Sequence, residues 1–126
     1  MTCNHKLLKN QEVKKLALVA VTSAGSQRDS NFEVRFGRSP YFILFKEGSD
    51  KLEGVPNPGV EAEGGAGVKA VQFLMDQGVK KIITGKVGPH AKSALQEGDI
   101  EVYEGTGDKV EEVIGKYNQG RLQRLF

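Results

Sequence analysis

The sequence is poor in the residues that build several common kinds of site. It has one cysteine, Cys3, two histidines, His5 and His90, and no tryptophan in 126 residues. A disulfide within the chain needs two cysteines, so none can form, and a cytoplasmic location is the default expectation. Cys3 and His5 together fall short of a zinc signature, which needs more ligands at defined spacing. The composition therefore excludes a disulfide scaffold and gives no sign of a zinc finger.

An excess of charge of one sign and long apolar runs are also missing. Lys and Arg number 18 against 16 Asp and Glu, which gives a net charge of +2. That balance offers no global argument for binding nucleic acid or an anionic membrane. No apolar run approaches the roughly 20 residues that span a bilayer, and the N-terminus has no apolar segment of the kind found in secretion signals. We therefore expect neither nucleic acid nor a membrane as a partner.

The chain divides into a short leader and a longer folded region. Residues 1–14 are polar and basic and show no apolar period, so they are predicted to form a flexible leader. Residues 15–126 are long enough for one compact domain with a single core. The overall composition, 38% hydrophobic and 27% charged, is typical of globular proteins.

Apolar patterning predicts the element order β-β-β-α-β-α-β-α. A continuous Val- and Leu-rich run at 16–22 suits a central strand, and the next two strands form a hairpin. The back half alternates strand and helix, which predicts parallel strands joined by right-handed crossovers. We therefore predict an α/β fold with a mixed five-stranded sheet, helices on both faces and a short tail at 119–126. The predicted strands are 16–22, 41–47, 51–55, 80–84 and 100–103.

The predicted helices have recognisable ends. The first ends near Gln77, the second begins at Pro89, and the third shows apolar residues at i, i+3, i+4 and i+7 from Val110. Asp108 and Glu111 have the spacing of a capping box at the start of the third helix.

A glycine-rich stretch at 57–70 organises the middle of the chain. Asn57-Pro58-Gly59 predicts a turn, and Gly64, Gly65 and Gly67 then lead into the first helix. The first N–H groups of a helix lack internal partners and suit an anion. The glycines are equally compatible with tight packing of the loop on the sheet. The spacing matches neither of the common nucleotide-binding glycine motifs, so it does not identify a nucleotide.

The predicted topology brings several loops to one edge of the sheet. Ligands of open α/β sheets bind where the parallel strands end, and here the loops 23–40, 57–66, 85–90 and 104–108 open there. Surface ion pairs for the arginines and a solvated position for the histidine are the simpler alternatives. The basic residues on this edge are Arg35, Arg38, Lys69, Lys86 and His90.

No arrangement of residues typical of a hydrolase is visible. Ser23, Ser26 and Ser39 have no predicted base other than His90, and Cys3 lies in the leader. We therefore expect a protein that is not an enzyme.

Three motifs carry a resemblance to a known family. They are Phe36-Gly37-Arg38-Ser39-Pro40-Tyr41-Phe42, Asn57-Pro58-Gly59 with Gly64-Gly65-Ala66-Gly67, and Gly85-Lys86-Val87-Gly88-Pro89-His90-Ala91. In order and spacing these motifs resemble the dinitrogenase iron–molybdenum cofactor biosynthesis family, which includes NifX-like proteins and the C-terminal domain of NifB. The similarity covers about residues 15–117.

The resemblance implies both a fold and a function. The implied fold is a three-layer α/β/α domain of ribonuclease H-like type over residues 15–126, with sheet order 3-2-1-4-5. The implied function is a small carrier or chaperone for an anionic metal–sulfur cluster, either the iron–molybdenum cofactor or another molybdenum or iron–sulfur cluster. Its partner would be a cluster donor or acceptor protein, and the chain itself a monomer or weak homodimer.

The site residues follow from the same motifs. Relatives often have histidine before the Phe-Gly pair, whereas this chain has Arg35 and no cysteine in the loops. Metal ligands therefore stay unassigned, and arginines and backbone N–H groups are the expected donors to the anion. The predicted cofactor-binding residues are Arg35, Phe36, Gly37, Arg38, Gly64, Gly65, Gly67, Gly85, Lys86, Gly88 and His90. Two alternatives stay open: an enzyme or sensor for a phosphorylated small molecule, and a protein-binding adaptor that takes no cluster.

Overall fold

The structure is a computed structural model that describes residues 17–61 and 64–126. The predicted leader at 1–14 lies outside the described residues. The elements are β1 (Leu18–Ser23), β2 (Tyr41–Lys46), β3 (Glu53–Pro56), α1 (Ala66–Asp76), β4 (Val79–Thr84), α2 (Pro89–Glu97), β5 (Glu101–Glu104), α3 (Val110–Asn118) and β6 (Gln123–Arg124).

The sheet has the order β3-β2-β1-β4-β5-β6. β1, β4 and β5 are parallel neighbours, while β2 runs antiparallel to both β1 and β3. The predicted order 3-2-1-4-5 is confirmed, and the α/β class with it. The predicted number of strands is wrong because a sixth strand, β6, pairs with β5 at the edge. Gln123 and Arg124 are both exposed, so this strand has no apolar alternation from which it could be predicted.

β1 lies at the centre of the fold because its side chains are apolar on both faces. Val19, Ala20 and Val21 are fully buried. Ala20 belongs to a cluster with apolar residues of α1 and α2, while Val19 and Val21 belong to a second cluster with α3. The sheet is thus covered by two helices on one face and one on the other, as predicted.

α1 and α2 lie side by side, and both begin at the edge where β3 and β4 end. A Cβ atom on Gly67 would stand 2.9 Å from the Cβ of Ala91, so the two helix starts are in close contact. Within the part of the chain that the structure describes, no helix has the length and apolar character needed to cross a membrane.

The predicted capping box at the third helix is wrong. The N-cap residue of α3 is Lys109, and the Glu112 carboxylate, not that of Glu111, accepts the Asp108 N–H at 3.0 Å. The helix begins one residue later than predicted, so the carboxylate that accepts a backbone N–H before the helix is also one residue later, at Glu112.

Candidate functional site

A cavity of about 260 Å³ lies between the starts of α1 and α2, at the edge where β1, β3 and β4 end. We call it the Arg38 pocket. Its walls come from the loops after these three strands, which is where open α/β sheets hold ligands. It is lined by Gly37, Arg38, Gly65, Ala66, Gly67, Val68, Gly88, Pro89, His90 and Ala91.

Two helix N-termini border this pocket. In α1 the first intrahelical bond runs from Lys69 N–H to Gly65 O at 2.9 Å, and in α2 from Lys92 N–H to Gly88 O at 2.9 Å. The amides of Gly67, Val68, His90 and Ala91 come before those bonds, and these four residues line the pocket. No side chain among the described residues caps either helix. The positive ends of two helix dipoles therefore meet at one cavity.

The glycines of the pocket fall into two groups. A Cβ on Gly37 would lie 3.0 Å from the Gly67 nitrogen, and one on Gly67 would press on Ala91, so packing accounts for both glycines. Gly65 has φ +68°, a conformation that favours glycine. Gly88 differs, because its φ of −69° suits any residue and a Cβ there would meet nothing within 4 Å. Neither conformation nor packing requires glycine at 88, and Gly88 is one of the residues that line the pocket.

Arg38 contributes the guanidinium group of the pocket. Its Nη1 donates to the Val60 carbonyl at 3.1 Å. A guanidinium carries five N–H donors in a planar fork, a geometry that suits carboxylates and other anions. His90, the other titratable side chain in the lining, is exposed.

Five predicted binding residues do not line the Arg38 pocket. The Arg35 side chain is 66% exposed and forms an ion pair with Glu33, Nε to Oε2, at 3.3 Å. Phe36 is buried and packs on Phe42 with ring centres 5.7 Å apart. The others are Gly64, which is exposed, and Gly85 and Lys86, whose backbone amides both bond to the Val34 carbonyl.

The Arg35–Glu33 pair is strong enough to affect the carboxyl group. Burial alone would raise the pKa of Glu33, but hydrogen bonds from the Arg35 backbone and guanidinium, with its charge, outweigh burial. The pKa of Glu33 is therefore lowered below its ordinary value. Arg35 is engaged locally, beside the Arg38 pocket but not in its wall.

Sequence reasoning missed two buried polar residues behind the pocket. Asn57 and Ser39 are both buried. Asn57 donates to the loop that carries Arg38, whereas the hydroxyl of Ser39, within that loop, donates to the Ser23 carbonyl at the end of β1. The available signal is their place inside the quoted motifs, where Asn57 indicates only a turn and Ser39 is only a serine with no predicted base other than His90.

A second cavity, of about 300 Å³, lies at the opposite edge of the sheet beside Glu47, Tyr103 and Tyr117. The Glu47 carboxylate is already engaged there: it accepts hydrogen bonds from the Ala17 N–H, the Lys81 ammonium and the Tyr117 hydroxyl. Burial alone would raise the pKa of Glu47, but the Tyr117, Ala17 and Lys81 interactions outweigh burial and lower it. This cluster ties elements together, whereas the Arg38 pocket presents donors to a cavity.

The donor set of the Arg38 pocket suits an anion, not a bare metal ion. Among the residues that the structure describes, none of those lining the pocket carries a carboxylate. Over residues 17–61 and 64–126, no group of three or more His, Cys, Asp and Glu residues is placed to hold a metal ion. The site can therefore bind an anionic group through N–H donors and a guanidinium.

Comparison with known proteins identifies the family of the chain. It is similar to the apo form of the orange protein from Desulfovibrio gigas, with a TM-score of 0.81 and 31% identity over 86% of this chain and 92% of that one. A Thermotoga protein provisionally assigned as NifB has a TM-score of 0.76 and 37% identity over 86% and 93%. An uncharacterized protein from Methanocaldococcus jannaschii is 24% identical over 93 residues, which is 71% of this chain and 79% of that protein. The model of the dinitrogenase iron–molybdenum cofactor family matches residues 15–120, and the chain belongs to that family.

Proposed function

We propose that this protein is a small non-enzymatic carrier that binds an anionic metal–sulfur cluster of the iron–molybdenum cofactor type in the Arg38 pocket. The observation that carries the proposal is the pocket itself. In a member of this family, two helix starts and an arginine converge on one cavity of about 260 Å³.

The pocket chemistry fits such a cargo. A metal–sulfur cluster presents sulfides, and carboxylates where it carries an organic acid ligand. Both accept hydrogen bonds from backbone N–H groups and from a guanidinium. Gly88 leaves room for the cargo to approach the backbone, since a side chain there would enter space that the protein leaves open. The cluster is cargo on this proposal, so it is held and released without being changed.

The similar proteins also support a role in carrying a metal–sulfur cluster. The family carries the name of the dinitrogenase iron–molybdenum cofactor, and the similar Desulfovibrio gigas structure is that of an apo form. We accordingly propose a cluster donor or acceptor protein as the partner, a cytoplasmic location, and a monomer or weak homodimer as the working state.

Gly88→Ala tests the proposal. In an anaerobic titration, the affinity of the variant for isolated iron–molybdenum cofactor should fall at least about tenfold. The new methyl group would keep the cofactor from approaching the backbone at residue 88. The substitution meets no atom within 4 Å and keeps an ordinary backbone conformation. Replacing a glycine cap by alanine should cost only about 0.5 kcal/mol of unfolding free energy.

Gly115→Ala is the matched control. Gly115 lies within α3, on the other face of the sheet, and a Cβ there also meets nothing within 4 Å. Its affinity for the cofactor should equal that of the wild type. Equal affinity in all three proteins, or no binding by any of them, would overturn the proposal. Thermal stabilisation by a sugar phosphate, together with no cofactor binding, would instead favour a phosphorylated ligand.

A further inference from the structure

We infer that Asn57 positions Arg38 for ligand binding by fixing the backbone on both sides of it. The inference rests on the proposed function of the Arg38 pocket. Asn57 does not line the pocket, so its effect on a ligand would pass through Arg38.

The Asn57 side chain holds the two residues that flank Arg38. It is 3% exposed, and its Nδ2 donates to the carbonyls of Gly37 at 3.3 Å and Ser39 at 2.8 Å. Its backbone N–H donates to the Pro40 carbonyl at 3.0 Å. Three hydrogen bonds from one residue therefore span 37–40, and Arg38 lies inside that span.

The same turn also holds the Arg38 head group. The Asn57 Oδ1 accepts the Gly59 N–H at 2.8 Å, and its backbone carbonyl accepts the Val60 N–H at 3.3 Å. These bonds close the turn and place the Val60 carbonyl, which accepts the Arg38 Nη1 at 3.1 Å. Arg38 is thus tied to one turn through its backbone and through its guanidinium.

The turn that begins at Asn57 also packs against α1. A Cβ on Gly59 would lie 2.6 Å from the Ala66 carbonyl oxygen and 3.2 Å from the Ala70 nitrogen. Because the turn contacts the first turn of α1, Asn57 sets the position of Arg38 relative to the α1 amides. A donor set held in place before the ligand arrives loses less entropy on binding.

A double-mutant cycle tests this role. With isolated iron–molybdenum cofactor as the probe, Asn57→Ala alone should weaken binding about tenfold, since it releases the Arg38 loop. In an Arg38→Ala background the same change should weaken binding by less than about twofold, because the residue through which it acts is gone. Equal losses in both backgrounds would show that Asn57 acts on the fold in general and would overturn the inference.

Proteolysis gives a readout that needs no ligand. Trypsin cleaves after arginine, and Asn57→Ala should raise the rate of cutting at Arg38–Ser39, relative to Arg28–Asp29, by about fivefold or more. Asn57→Asp is the second variant, because it keeps the acceptor for the Gly59 N–H and removes both donors. It should raise the same ratio. An unchanged ratio in folded variants would overturn the inference, whether or not the wild type binds cofactor.

The two hypotheses therefore fail separately. If the wild type binds no cofactor but the ratio rises, the proposed function is wrong and Asn57 still positions Arg38. Should both variants be unfolded, hydrogen exchange of the Asn57 side-chain amide in the wild type decides. Slow exchange is expected for a buried group bonded to two carbonyls, and rapid exchange would overturn the inference.

Discussion

At the scale of residues, Arg35 and Arg38 stand three positions apart in one loop and have different surroundings. Arg35 extends into solvent and pairs with Glu33, whereas Arg38 lines the cavity and donates to the Val60 carbonyl. The buried ring of Phe36 lies between them in the chain and anchors the loop in the core. The two cations are therefore a matched pair with the same charge and different access to the pocket.

Arg38→Ala should weaken binding of isolated iron–molybdenum cofactor by about 1.5–3 kcal/mol, the size of a hydrogen bond to a charged group. Arg35→Ala removes the same charge from a mostly exposed side chain and should change affinity by less than about 0.5 kcal/mol in physiological salt. Anaerobic titration of both variants measures the difference. If Arg35→Ala weakens binding as much as Arg38→Ala, the net charge of the edge matters and the pocket geometry does not.

The sequence predicted part of this site at residue level. Gly37, Arg38, Gly65, Gly67, Gly88 and His90 were predicted from the motifs and do line one cavity. Arg35 and Phe36 lie elsewhere because an irregular loop has no period, so the sequence does not indicate which side of the loop a side chain faces. The role of Asn57 was missed for a related reason. Its partners are backbone carbonyls about 20 positions away, and because every residue has a backbone carbonyl, the sequence does not indicate which ones a side chain will meet.

At the scale of elements, the segment 119–126, predicted to be a short tail, contributes the strand at one edge of the sheet. The Leu125 N–H donates to the Val102 carbonyl at 2.7 Å, and the Val102 N–H donates to the Phe126 carbonyl at 3.1 Å. Phe126 packs against the cluster under α1 and α2, and Lys92 lies over its ring at 5.3 Å. The longer strands were predictable from apolar runs, whereas β6 is defined by pairing alone.

Ending the chain at Gly120 should therefore lower the unfolding free energy by about 2 kcal/mol, from lost burial of Phe126 and Leu122 and from unpaired amides of β5. Urea denaturation followed by circular dichroism measures the loss. Phe126→Ala should reproduce a good part of it, since the ring is the main apolar group removed. A truncated chain as stable as the full one would show that β6 contributes nothing to the fold.

At the scale of the whole molecule, Glu47 connects parts of the chain that are distant in sequence. It follows β2 and accepts hydrogen bonds from Ala17 before β1, Lys81 in β4 and Tyr117 in α3. Tyr117 also packs edge-on against Phe45 and Tyr103. This cluster joins the central strands to the helix on one face, and none of these residues lines the Arg38 pocket.

The ionised Glu47 should make stability depend on pH. Its pKa is lowered in the folded protein from the ordinary 4.5, so the unfolded chain takes up the proton more readily. The stabilisation is therefore present above about pH 4.5 and is lost as the pH falls through the folded-state pKa. Glu47→Gln should lower the unfolding free energy by about 1–2 kcal/mol at pH 7, and this difference should shrink towards pH 3.

Tyr117→Phe provides the second arm of that experiment. It keeps the ring that packs on Phe45 and deletes only the hydroxyl that donates to Glu47. It should flatten the pH dependence in part, because one of the donors that lower the Glu47 pKa is lost. A difference between wild type and Glu47→Gln that stays constant from pH 7 to pH 3 would contradict the assignment.

The two apolar clusters on opposite faces of the sheet bear on how relatives of this chain can diverge. The cluster under α1 and α2 is joined to the pocket loop through Phe36, whereas that under α3 is made of other residues, Val110, Val113 and Ile114 among them. Substitutions in the α3 layer should shift melting temperature while ligand affinity stays the same. Relatives adapted to hotter or colder habitats can therefore change the residues under α3, and with them the stability, while the residues under α1 and α2 stay the same.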